Sequence, residues 1–255
     1  MKKLRITTFI IALAAIISFS LVGCAKQTFD DIAYGDSTQA ALSVVQSFNN
    51  AKTGMFNKIA EYETTDINET LSGTVKTVKI SKFGRIAGVS FTQQKVITYS
   101  GDTESYVTTT HYNGVIYTDT NGTVIGTAAG SAIDIPAFIS SFIPSIGEST
   151  PANATLVEEK QFEEVNYFRL TIAAGFINTE RPQQGNLYID EFKYEFGIHA
   201  QNNYLMMHRT IEVIVTDTPS ATPGGNYWMV SSRHTITTIL KNTGENVHIE
   251  IPVVS

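Results

Sequence analysis

"ESYVTTTHYNGVIYTDTNG" (Glu104–Gly122) decides the fold class. Asn-Gly occurs in it twice, at Asn113-Gly114 and Asn121-Gly122, each time between β-branched and aromatic residues. A type I′ turn needs positive φ at both central positions, which Asn and Gly tolerate. The two pairs therefore predict hairpins, with "GVIYTD" between them as one short strand of a meander.

The same texture extends both ways. Thr, Val, Ile and Tyr dominate from about Glu69, and these residues favour strands. "GTVKTVKI" (Gly73–Ile80) and "IAGVSFTQQKVITYS" (Ile86–Ser100) read as strands on one side. "ATLVEEKQFEEVNYFRLTIAA" (Ala154–Ala174), "GNLYIDEFKYEFGIHA" (Gly185–Ala200), "YLMMHRTIEVIVTD" (Tyr204–Asp217), "YWMVSSRHTITTIL" (Tyr227–Leu240) and "NVHIEIPVV" (Asn246–Val254) read as strands on the other. Alternation is clear in places: Phe192, Tyr194, Phe196 and Ile198 face one way, Lys193 and Glu195 the other. "QNN" (Gln201–Asn203) and "KNTGEN" (Lys241–Asn246) read as hairpin turns, and "TPSATPGGN" (Thr218–Asn226) as a longer loop.

Two segments break the β pattern. Ala41, Val44, Val45, Phe48, Met55, Phe56 and Ile59 form a helical stripe, with Asp36-Ser37-Thr38 offering caps; Asn49-Asn50 and Gly54 predict a kink or two segments. In "SAIDIPAFISSFIPSIG" (Ser131–Gly147) a short apolar helix starts at Asp134 and Pro136 and stops by Pro144 and Gly147. The fold class expected is α+β, mainly β: a curved antiparallel sheet, or half-barrel. An N-terminal helix and a mid-chain apolar helix lie on its concave face and keep its apolar side from water.

The N-terminus sets the location. Lys2, Lys3 and Arg5 precede an apolar run from about Thr8 to Val22, too short for a comfortable spanning helix and shaped like a secretory signal. Leu21-Val22-Gly23-Cys24 resembles the lipobox of bacterial lipoproteins, and Cys24 is the only cysteine of the 255 residues. The resemblance implies alkylation of the Cys24 thiol with diacylglycerol and cleavage before it. That makes residues 1–23 a signal peptide, residues 24–36 a lipidated tether and residues 37–255 a single domain. A diacyl anchor gains about 0.8 kcal/mol for each buried methylene. The expected location is extracytoplasmic, anchored to the cell membrane, or to the outer membrane in a two-membrane organism. Removing the signal leaves 232 residues and takes away three basic residues and no acid, so the formal charge moves from −6 to −9. Such an acidic chain is a poor ligand for nucleic acid, which requires clustered Lys and Arg. With one cysteine there is no internal disulfide, and the core must supply the stability.

Leu187-Tyr188-Ile189-Asp190, the strands that follow to Asp217, and the ending with Ile249, Ile251 and Pro252 resemble the LolA, LppX/LprG and RseB-type lipoproteins. The resemblance spans roughly residues 37–255. It implies a half-barrel around an apolar cavity that takes acyl chains or lipids, or one that serves as a sensor or interaction platform.

Catalytic signatures are absent. His111, His199, His208, His234 and His248 stand singly, with no H-x-x-x-H pair and no second cysteine to help bind zinc. "EEKQFEE" (Glu158–Glu164) lacks the D-x-D-x-D-G frame of a calcium loop and reads as a solvated hairpin. No G-x-S-x-G or S-x-x-K occurs, and the glycine-rich "GTAAGSA" (Gly126–Ala132) is followed by no P-loop lysine. The expectation is no enzyme, no metal and no cofactor. Apolar residues remain: Phe138, Ile139, Phe142, Ile143, Tyr204, Met206 and Trp228, with Tyr227 and Met229 beside it, exceed what one face of a sheet usually shows. Either they are ordinary core or they line a pocket for an apolar or lipid-like ligand. The alternative function is a protein-interaction or sensor domain for an envelope partner on the same scaffold.

Overall fold

A computed structural model describes residues 29–100, 103–183, 185–219 and 226–252, with side chains left undescribed at 100, 217–219 and 226–228. The chain divides into two units, residues 1–33 and 34–255. In the first, Phe29–Asp31 forms a single 3-10 turn. The expected signal peptide, residues 1–23, and Cys24 lie outside the described residues.

The second unit is mainly β. Its strands are β1 (Gly35–Asp36), β2 (Ala60–Thr70), β3 (Gly73–Ile86), β4 (Val89–Ser100), β5 (Thr103–Tyr112), β6 (Val115–Thr120), β7 (Thr123–Ala128), β8 (Ala154–Phe162), β9 (Val165–Ile172), β10 (Leu187–His199), β11 (Leu205–Pro219) and β12 (Asn226–Thr243). The helices are α1 (Ala41–Gly54), α2 (Ile135–Ser140) and α3 (Ala174–Glu180). All twelve strands join one open antiparallel sheet in the order β1-β8-β9-β10-β11-β12-β2-β3-β4-β5-β6-β7. Two meanders, β2–β7 and β8–β12, are thus fused where β12 pairs with β2. Both Asn-Gly pairs turn as expected, with φ of 48° and 76° at Asn113 and Gly114 and 49° and 93° at Asn121 and Gly122.

Over β2, β3 and β9–β11 one face of the sheet is buried, with the helices packed on it. From α1, Val44, Val45, Phe48 and Ala51 are buried at helical spacing, and Met55 of the 3-10 turn that follows continues the stripe. Phe48 meets the Phe196 ring of β10 at 4.9 Å and the His208 ring of β11 at 5.1 Å. From α2 and the turn after it, Phe138 and Phe142 close on Tyr62 of β2 and Phe83 of β3, at 5.9–6.4 Å between ring centroids. Each of these two helices therefore seats one aromatic cluster on the sheet, with aliphatic side chains filling the core around it.

Several local expectations are corrected. The helix from Ala41 runs unbroken past Asn49-Asn50 and ends at Gly54, where a 3-10 turn (Met55–Asn57) follows, so of the two expected weak points only the glycine divides it. The Asn49 amide is instead spent on the Ile146 backbone, Nδ2 donating to its oxygen (3.1 Å) and its N–H donating to Oδ1 (3.2 Å). Asp36-Ser37-Thr38 do not cap α1. Gly35 and Asp36 pair with Glu159 and Glu158, the Ser37 hydroxyl donates to Glu159 at 2.7 Å, and Ala40 holds the cap position without a side-chain bond. The end of the expected tether is thus built into the sheet. α3 has no counterpart in the sequence reading; its Asn178 clamps both backbone groups of Ile189 where β10 bulges. The described residues of "NVHIEIPVV", 246–252, join no ladder. After β12 the chain makes a 3-10 turn at Gly244–Asn246, and the described residues 247–252 cross the outer face. There Lys82 Nζ donates to the His248 carbonyl (2.7 Å) and Gln93 Nε2 to that of Glu250 (3.1 Å).

Candidate functional site

Most of the residues singled out for a ligand pocket that the structure describes are packed into or against the core. Ile139 and Ile143 are fully buried and Phe142 nearly so, all within the core that α2 shares with β2 and β3. Phe138 and Tyr204 pack partly buried against the same core. Met206 sits half-buried in β11, next to the irregularity that puts Ile198 opposite Leu205. Trp228 lies opposite Asp217, and its side chain is outside the description. Eleven residues of β11 separate Met206 from Asp217, about 35 Å at 3.2–3.4 Å per residue. Met206 and Trp228 therefore cannot line the same small cavity. Helix period and strand composition reveal that these residues are apolar, not which end of a long strand each occupies.

Two clefts flank the helices instead. The first, of about 570 Å³, lies between the residues that lead into α2 and the chain after α1, and is lined by Phe56, Ala132, Ile133, Ile135 and Pro136 with the polar Asn57, Arg85, Ser90 and Asp134. Asp134 is committed to α2, its Oδ1 accepting from the Ala137 N–H at 2.9 Å. Arg85, exposed near the end of β3, makes no ion pair among the described residues. The second, of about 370 Å³, holds Tyr204 together with Met55, Lys58, Ile59 and Asn202. Gly84, next to Arg85, has φ of +149°, and a Cβ there would stand 2.9 Å from the Ile59 Cα. A glycine is what lets the two chain segments approach behind the first cleft.

Buried polar groups mark two further places. Beneath α1, Lys52 is nearly buried and donates to the Ser145 hydroxyl at 2.9 Å. His208 lies in the same interior, its ring between Phe48 and Tyr194, with neither ring nitrogen hydrogen-bonded among the described residues. Burial, and secondarily the Lys52 charge, lower its pKa to about 4, so it is a neutral imidazole at neutral pH. On the outer face, Glu195 is fully buried between Arg169 and Arg209, which stand opposite it on β9 and β11. Arg169 Nε donates to Oε1 at 2.7 Å and Arg209 Nε donates to Oε2. Arg169 also reaches Glu158 at 3.4 Å, and its guanidinium lies 4.1 Å from the Tyr34 ring centroid. Alternation alone placed Glu195 opposite the apolar face. The clue to its burial was two arginines that fall in register with it, which requires the pairing to be known.

The other singled-out groups are scattered. His199 stands 3.3 Å from Glu164 and His234 2.8 Å from Asp66, each a local pair. Of the four carboxylates of "EEKQFEE", Glu158 and Glu159 are engaged by Arg169 and by Ser37, and Glu163 sits in the turn with φ of 51°.

No family model matches the chain, and no curated protein matches its sequence. Among solved structures the chain is similar to LprF from Mycobacterium bovis, at 14% identity and a TM-score of 0.39, over 86% of this chain and 100% of that one.

Proposed function

We propose that this protein is a lipid-anchored extracytoplasmic lipoprotein that binds an apolar or lipid-like ligand without chemical turnover, in the cleft beside α2. The observation that carries the reading is the composition of that cleft: a wall of Phe56, Ile133, Ile135 and Pro136, with Arg85, which makes no ion pair among the described residues, at its side and Asp134 committed to the α2 cap, in about 570 Å³. Ligand pockets have this size, and this one joins its apolar wall to a polar side made of Asn57, Arg85, Ser90 and Asp134. Apolar wall plus one cation suits an amphiphile whose polar end is a carboxylate or phosphate. Anchoring at Cys24 would keep such a module beside the lipid that supplies its ligand. The test is native mass spectrometry on residues 25–255 with lipid extraction of the same sample. A reproducible lipid adduct in the parent chain, lost on Arg85→Glu or Ile133→Asp and kept on Lys241→Glu, is the expected result. A clean mass after incubation with lipids refutes the reading.

A second reading, a protein-interaction or sensor platform, is favoured by the close packing of Ile139, Phe142 and Ile143, which leaves no room for a ligand among those side chains. It predicts the clean mass and a protein partner recovered on one exposed face of the sheet.

A further inference from the structure

The open sheet has two edges, and they differ. β1 is two residues long and ends in Asp36. Short, charged edges discourage pairing with another chain. β7 runs six residues, Thr123–Ala128, without Lys, Pro or any charge, and all but Val124 are exposed, Ile125 at 61%.

The free backbone groups of β7 follow from its hairpin. Asn121 and Gly122 make a two-residue turn, so the flanking Thr120–Thr123 pair is the hydrogen-bonded one. The β6–β7 register has no shift, so Thr123, Ile125 and Thr127 turn their N–H and C=O groups to β6. Val124, Gly126 and Ala128 turn theirs away from the sheet. These three positions are symmetric about Gly126.

We propose that β7 is a homodimerisation edge, on which a second copy of this chain lays its own β7 antiparallel about a two-fold axis through Gly126. Gly126 then faces the second copy's Gly126, and Val124 faces its Ala128 on both sides of the axis. Three such pairs exchange about six hydrogen bonds, two per pair. Opposed residues keep the same parity, so the helix-covered faces of both copies lie on one side of a continuous sheet. A second copy is the occupant that fits because the edge is complementary to itself. An isologous two-fold contact closes, whereas a β7-to-β1 contact would find only two residues on β1 and would propagate. Charge does not oppose it. The nearest acid is Asp119, opposite Val124 on β6. The two Asp119 side chains of a dimer stand about 20 Å apart, from three strand spacings and four residues along the strand, well beyond the roughly 8 Å screening length at physiological salt. The inference rests on the sheet edge and is independent of the ligand reading.

Sedimentation equilibrium of the full chain in detergent tests it. The expected result is a reversible dimer. Gly126→Lys places two ammonium groups opposite each other and weakens the dimer at least tenfold, as does Gly126→Glu. Mixing the two variants restores dimers. Gly126 is exposed, so both variants keep the parent's circular dichroism. As a second readout, Gly126→Cys in a Cys24→Ser background forms an intermolecular disulfide on oxidation, because opposed residues in a ladder are about 5.5 Å apart, within disulfide range. A parent chain that stays monomeric at every concentration, a dimer indifferent to Gly126→Lys, or a mixture that does not re-pair overturns the proposal.

Discussion

Replacing Glu195 by glutamine tests whether the outer face is held by charge. The carboxylate is fully buried and accepts from the Nε atoms of both Arg169 and Arg209, whose side chains are 25% and 11% exposed. Glutamine keeps the size but removes the charge, and it turns an N–H₂ toward one guanidinium, which offers only donors. Each charge-assisted bond contributes about 1.5–3 kcal/mol. Removing one partner from a buried ion pair costs about 3–5 kcal/mol, since the stranded charges stay desolvated. Expected destabilisation is therefore about 3 kcal/mol, the lower bound, because Arg169 is partly solvated and retains Glu158. Glu158→Gln is the matched control: its 3.4 Å contact at the solvent margin predicts a loss of about 0–1 kcal/mol. Urea unfolding followed by far-UV circular dichroism measures both. If Glu195→Gln loses less than about 1 kcal/mol, or no more than Glu158→Gln, the ion network is not what stabilises this face.

Acid should weaken the protein through His208, which Lys52 of α1 and Tyr194 of β10 face. Its folded pKa is about 4, against about 6.5 unfolded. Between these values the unfolded chain binds a proton that the folded chain refuses. Stability contributed above pH 6.5 is thus lost at about 1.4 kcal/mol per unit as pH falls toward 4. His208→Phe flattens that part of the urea-midpoint profile between pH 7.5 and 5; a parallel profile would refute the assignment. Ile139→Ala removes a fully buried side chain and should cost about 2–5 kcal/mol in the same assay, whereas a wall residue of a solvent-filled pocket would cost less. Gly84→Ala forces a Cβ against Ile59 at positive φ and should cost about 3 kcal/mol, with Gly88→Ala, which meets nothing within 4 Å, as the control for the φ contribution.

Elements whose cause is local were legible. The Asn113-Gly114 and Asn121-Gly122 turns follow from the φ preference of two adjacent residues. The start of α2 follows from Asp134 and Pro136, and its buried stripe from the 3.6-residue period. Where a distant partner intervened, the local reading failed. Asn49 looked like a weak point in α1, yet Ile146, 97 residues away, absorbs its amide. The final "HIEIP" has strand composition, but the positions beside β12 were already taken by β11 and β2. For the site, the apolar identity of Phe138, Ile139, Phe142 and Ile143 was readable. Their being packed shut, and the opening of a cleft around Arg85 and Ile133 beside them, was not.

By itself the sequence determined that this chain is mainly β in hairpins, with one amphipathic and one apolar helix. Turn chemistry and side-chain period act over a few residues and need no partner. Tertiary structure alone decided that β12 joins β2 across some 170 residues, that Glu195 is buried between two arginines, and that β7 is left as an uncharged edge. Strand partners are chosen by the packing of whole faces, and no local pattern records which strand ends up beside which.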